Sequence, residues 1–132
     1  MEKGHILVVD DDPQTRGFLS EHLTRRGFSV QTVSSAGEAI QEVRRCRFDV
    51  AICDLQMPVI DGLSCLETMT RLAPALHVIM ISGEATVEKV VKAMKKGAYD
   101  FLQKPLPMEH LLFQIEKALL NSQLEQGRAE AA

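Results

Sequence analysis

No stretch of this 132-residue chain approaches the ~20 consecutive apolar residues that a membrane-spanning helix needs. It also lacks an excess of one charge. Its 15 Lys and Arg stand against 18 Asp and Glu, and a net charge of −3 does not favour direct nucleic-acid binding. Any action at DNA would need something beyond this domain. Cysteine is scarce, and Cys46, Cys53 and Cys65 form no CxxC pair. That argues against a disulfide framework or a zinc site and for reduced thiols in a cytoplasmic protein. His5, His22, His77 and His110 show no ligand spacing and read as ordinary surface or core side chains. There is no internal repeat and no Walker-type glycine-rich loop. Met1 to His5 lead straight into an apolar run without a cleavage-like site, so no signal peptide is expected.

What is present is an alternation of short β-rich runs and amphipathic stretches. The length suits one domain, and 45% apolar with 25% charged residues is ordinary for a globular chain. Ile6 to Val9 is a continuous aliphatic run, short enough for a buried strand. Asp12-Pro13 starts a helix, with Phe18, Leu19, His22 and Leu23 on its apolar face and Gly27 at its end. Phe28 to Val33 alternates like a half-exposed strand. Ala39, Ile40 and Val43 mark a second helix, and Val50 to Cys53 a third strand cut off by Asp54. Leu63, Leu66, Met69 and Leu72 face a third helix, and Val78 to Ile81 form a fourth strand. Val87, Val90, Val91 and Met94 predict the face of a fourth helix, closed by Gly97. Tyr99 to Leu102 predicts a fifth strand; Leu111, Leu112, Ile115 and Leu119 mark the last helix.

Five strands alternating with five helices imply a parallel sheet covered on both faces. In such sheets the functional crevice lies at the carboxyl ends of the strands. Asp10 to Asp12 follow the first strand, Asp54 the third, Ser82-Gly83 the fourth and Lys104 the fifth. Ser34 and Ser35, after the second, would lie to one side. Carboxylates gathered in this way repel: two charges ~4 Å apart cost on the order of 4 kcal/mol at an effective dielectric near 20. A hard divalent ion, Mg²⁺ or Mn²⁺, is the natural partner of an all-oxygen donor set. A carboxylate can also be a nucleophile that forms an aspartyl-phosphate, a reaction governed by positioning and charge neutralisation. Lys104 and the Ser82 hydroxyl suit that task.

Four blocks carry a family resemblance: Val8 to Pro13; Asp54 to Pro58 with Asp61-Gly62; Ser82-Gly83; and Gly97 to Leu102 with Lys104-Pro105. In this order and spacing they resemble the receiver domains of two-component response regulators, over about residues 4 to 121. The resemblance implies the flavodoxin-like α/β fold, a doubly wound five-stranded parallel sheet of order 2-1-3-4-5 with five helices. It implies that Asp54 is phosphorylated by a phosphohistidine on a sensor histidine kinase or phosphotransfer protein. Asp11 would bind Mg²⁺ directly and Asp10 largely through water, with Asp54 and the Gln56 backbone carbonyl as further ligands. Lys104 and Ser82 would stabilise the phosphoryl group, Ser82 and Phe101 would form the switch, and Lys104-Pro105 would be cis. Gln56 and Glu84 occupy positions that modulate phosphoryl lifetime in the family. Serine at 82 lacks the methyl of the commoner threonine, and phenylalanine at 101 lacks a tyrosine hydroxyl.

The chain would then be a signalling switch, not an enzyme acting on others, catalysing only its own phosphorylation and dephosphorylation. The rival is a Mg²⁺-dependent phosphohydrolase, but such enzymes carry a second acid where Gln56 stands. A phosphate-independent interaction module is the other alternative, and the intact acid and lysine set argues against it. Asp12 reads as a helix cap rather than a ligand. Lys89, Lys92, Lys95 and Lys96 read as a solvated face. Phe113, Leu120 and Leu124 lie off the main stripe of the last helix, which fits a homodimer through the fourth helix, fifth strand and last helix, or a coiled-coil linker. Residues 1–121 are expected to form the receiver and 122–132 a helical extension or linker, with Glu125 to Ala132 frayed.

Overall fold

The central strands of this chain are short β-branched or aliphatic runs, and every helix starts at an oxygen-bearing side chain or beside a proline. The computed structural model describes the backbone of residues 3–131 and the side chains of 3–122 and 124. The elements alternate as β1 (His5–Val9), α1 (Pro13–Arg25), β2 (Ser29–Val33), α2 (Ala36–Arg45) and β3 (Val50–Asp54). They continue as α3 (Gly62–Leu72), β4 (His77–Ser82), α4 (Val87–Lys95), β5 (Asp100–Gln103) and α5 (Met108–Ala131). Asp12, Ser35, Asp61 and Thr86 cap α1 to α4, each side chain accepting a hydrogen bond from a backbone N–H in the first turn.

The strands form one parallel sheet in the order β2-β1-β3-β4-β5. Ile6 pairs with Val30 and Val50, Ile52 with Ile79, and Met80 with Phe101. Alternation along each strand feeds two cores. Leu7, Val9, Ala51, Cys53, Val78 and Met80 pack with Ala36, Ala39, Cys65, Leu66, Met69 and Ala93 on one face. Ile6, Val8, Ile52, Ile79 and Ile81 pack with Leu19, Leu23, Leu111, Ile115 and Ala118 on the other. Burial on both faces is why these strands are continuous apolar runs. The three cysteines are free thiols. Among the described residues, no helix is long and apolar enough to cross a membrane.

Four sequence expectations are corrected. On α4 only Ala93 is fully buried, while Val87, Val91 and Met94 face outward. On α1 the core contacts are Leu19 and Leu23; Phe18 is exposed and stacks on His22 at 4.2 Å between ring centroids. Leu72 is also exposed, and Cys65 takes its expected place in the core. Helical backbone continues to Ala131, through the segment expected to fray, consistent with its content of good helix formers. Ala132 lies outside the described residues.

Val59, in the loop after β3, is fully exposed and adopts φ 70°. A β-branched side chain in the left-handed region is strained by roughly 1–2 kcal/mol. Val59→Asn is therefore expected to raise stability by about 1 kcal/mol, read from the chemical denaturation midpoint, because asparagine tolerates this conformation.

Candidate functional site

At the carboxyl edge of the sheet, β1 and β3 each end in a buried acid. Asp10 follows the last residue of β1 and is 0% exposed; Asp54 ends β3 and is 6% exposed. Asp11 stands beside them in solvent. One carboxylate oxygen from each of Asp10, Asp11 and Asp54 lies within 4.8 Å of the others. Lys104, just past β5, extends its Nζ to within 2.9 Å of Asp10 Oδ2 and 3.5 Å of Asp54 Oδ2. Its backbone N–H donates to the Ser82 carbonyl at 2.7 Å, and the Lys104–Pro105 peptide bond is cis. Residues 94 positions apart in sequence thus meet because the parallel strands of one sheet end at a common edge and the long Lys104 side chain reaches back along it from β5 toward β1.

Asp10 is held on every side. Its N–H donates to the Val33 carbonyl at 3.2 Å. Its carbonyl accepts from Arg16 Nη1 at 2.7 Å, and its Oδ1 accepts from the Asp12 N–H at 2.9 Å. Asp54 Oδ1 accepts from the Gln56 N–H at 3.1 Å. Ser82 is fully buried at the end of β4, but its hydroxyl is engaged with its own loop. It donates to the Glu84 carbonyl at 3.0 Å and accepts from the Glu84 N–H at 3.2 Å. Phe101 is turned inward, 9% exposed, into the same core cluster as Met80 and Ala93.

The electrostatics follow from this crowding. Burial pushes the Asp54 carboxyl up from the usual 3.8 to about 6. The Gln56 N–H pulls it back, the Asp10 charge raises it again, and Lys104 offsets part of that. For Lys104, burial alone favours the neutral amine, but the hydrogen bond to Asp10 and the charges of Asp54 and Asp10 prevail. The ammonium is held above its usual 10.5 and stays charged. One lysine among three clustered acids leaves negative charge uncompensated. A donor set made only of carboxylate oxygens fits a hard divalent cation. A cavity of about 520 Å³ lies elsewhere, lined by residues such as Arg44, Arg47 and Pro74, and contains none of these groups.

Two features were not read from the sequence. Arg16 lies in the opening turns of α1, where a cation opposes the helix dipole, and that breach of local preference is the signal that marks it. Val59 carries its strain in the backbone, which side-chain patterns do not encode.

The strand order 2-1-3-4-5, with helices on both faces and acids gathered at the carboxyl edge, is that of a flavodoxin-like, CheY-like α/β domain. Residues 6–116 match the response regulator receiver domain, and the chain belongs to that family of two-component signalling proteins. The transcriptional regulatory protein ZraR of Escherichia coli (strain K12) is 38% identical over 117 residues, covering 89% of this chain and 26% of that protein. The chain spans about a quarter of the length of the curated relatives it matches. A CheY-like receiver domain from Methanospirillum hungatei JF-1 superposes with a TM-score of 0.88 at 30% identity, covering 92% of this chain and 98% of that one. A Burkholderia pseudomallei response regulator, crystallised with a phosphorylated aspartic acid, calcium ion and citrate, gives 0.82 at 28% identity over 93% and 72% of the two chains.

Proposed function

We propose that this receiver is switched by phosphorylation of Asp54, with the phosphoryl group taken from a phosphohistidine on a sensor histidine kinase or phosphotransfer protein. The observation that carries the reading is a buried Asp54 carboxyl, displaced to about 6, with Asp10, Asp11 and Lys104 around it. A carboxylate oxygen of Asp54 would attack phosphorus as the N–P bond of the donor breaks, leaving the electron pair on imidazole nitrogen. Asp10, Asp11, Asp54 and the Gln56 carbonyl would hold Mg²⁺, or Mn²⁺, which when bound neutralises charge on the transferring oxygens. Lys104 would move its contact from Asp10 to a phosphoryl oxygen and so preserve the charge balance. The related regulator crystallised with phosphorylated aspartate and a calcium ion supports this assignment.

The switch would then be local. Phe101 already lies inward, so the group that must rearrange is the Ser82 hydroxyl, which would leave Glu84 for the phosphoryl group and draw the β4–α4 loop with it. The consequence would be read on α4, β5 and α5, where Val87, Val91, Met94 and Phe113 are exposed. That surface would serve a homodimer or an output partner, with residues 1–121 as the switch and 122–132 as the link onward, in the cytoplasm. Acetyl phosphate with Mg²⁺ is expected to add one phosphoryl mass to the protein and none to Asp54→Asn. Equal labelling of that variant would overturn the assignment.

A further inference from the structure

We propose that Arg16 is a positioning residue for the cation and phosphoryl site, acting through the backbone carbonyl of Asp10. The inference rests on the reading of Asp10, Asp11 and Asp54 as a Mg²⁺-dependent phosphoacceptor centre. Arg16 is half-buried, and its guanidinium donates to the Asp10 carbonyl at 2.7 Å, a short, charge-assisted bond. Among the described residues it forms no ion pair with a carboxylate, unlike Arg25 and Arg45, which pair with Glu21 and Glu42 on their own helices. It also sits near the N-terminus of α1, where a positive charge is disfavoured and the first turn holds no acid. An arginine with only a solvated role would gain nothing from that place.

Asp10 shows what the contact does. Its four restraints come from β2 through Val33, from the following loop through Asp12, from the segment just past β5 through Lys104, and from α1 through Arg16. In the proposed reaction Lys104 turns to the phosphoryl group, so Asp10 loses one of them when its orientation matters most. Arg16 stays, because its bond is to the main chain and occupies neither carboxylate oxygen.

Charge and position predict opposite signs. A nearby cation repels Mg²⁺, so an effect of charge alone would make binding tighter when Arg16 is removed. Loss of positioning makes it weaker; removing a partner that orients a metal ligand costs 10–100-fold in affinity. The test is titration of the intact chain with MgCl₂ by calorimetry, with acetyl phosphate labelling across the same Mg²⁺ range. Arg16→Met is expected to raise the Mg²⁺ dissociation constant about tenfold and to shift half-maximal labelling equally. Arg16→Lys, which keeps a cationic donor, is expected to recover most of the loss. Arg16→Gln, a neutral donor, should fall between them, and it carries the comparison with Arg16→Lys if the methionine variant does not fold. Unchanged or tighter binding in folded Arg16→Met, or in Arg16→Gln where it serves instead, overturns the inference, as does a lysine variant no better than the one it is compared with. Wild-type protein that binds no Mg²⁺ overturns the functional reading, and the inference falls with it.

Discussion

Alanine at position 62 is expected to lower stability by about 4 kcal/mol, although glycine to alanine inside a helix ordinarily gains up to ~1 kcal/mol. A Cβ at Gly62 would lie 2.2 Å from the Asp54 carbonyl oxygen, 2.5 Å from Leu55 Cα and 2.7 Å from the Leu55 carbonyl oxygen. All three are backbone atoms, so no rotamer change relieves the overlap. The start of α3 would have to withdraw from the end of β3 and break the 2.9 Å bond from the Gly62 N–H to the Leu55 carbonyl. Since Asp54 is one of the residues pushed, Mg²⁺ affinity should fall together with stability. Chemical denaturation gives the first quantity and calorimetric titration the second. A stability loss under about 1 kcal/mol would show that the close approach relaxes cheaply.

Removing the charge of Asp54 acts in the opposite direction. Its folded pKa is raised from 3.8 to about 6, so the native state holds that proton more tightly than the unfolded chain. The resulting stability is complete below about pH 4 and is lost as pH rises through 6. At pH 7.5 in EDTA, Asp54→Asn is therefore expected to be more stable than the wild type by on the order of 2 kcal/mol. The gap should close on acidification toward pH 4. In the proposed Mg²⁺ complex the wild type regains stability by mass action, and the asparagine variant gains little. Thermal midpoints across pH, with and without MgCl₂, measure all of this. A gap that is absent at pH 7.5, or that survives at pH 4, would show that burial does not strain the carboxylate.

The central strands β1, β3 and β4 were legible because burial on both faces leaves them almost no polar positions, β2 by its alternation, and the end of each strand could be marked to within a residue or two. Asp10, Asp54, Ser82 and Lys104 were placed at one edge by topology alone. The face of α4 was not legible. Val87, Val91 and Met94 have the correct period for a core stripe, but periodicity cannot say which side meets the sheet, and the close fit is made by Ala93. The preference of Lys104 for Asp10 over Asp54 was equally hidden, because it depends on a difference of 0.6 Å between two contacts, 2.9 and 3.5 Å. Arg16 escaped notice because its partner is a carbonyl, which every residue possesses.

A helix such as α4, which rests on the sheet through one fully buried alanine, Ala93, and a partly buried Val90, has a shallow footing. Burying a methyl stabilises far less than burying the leucines and isoleucine that fasten α1 and α5. A small push from the β4–α4 loop can therefore tilt α4 without opening a large void, whereas the same push on α1 would tear Leu19 and Leu23 from the core. The softness is set by residue size, and on α4 it adjoins the loop that begins at Ser82.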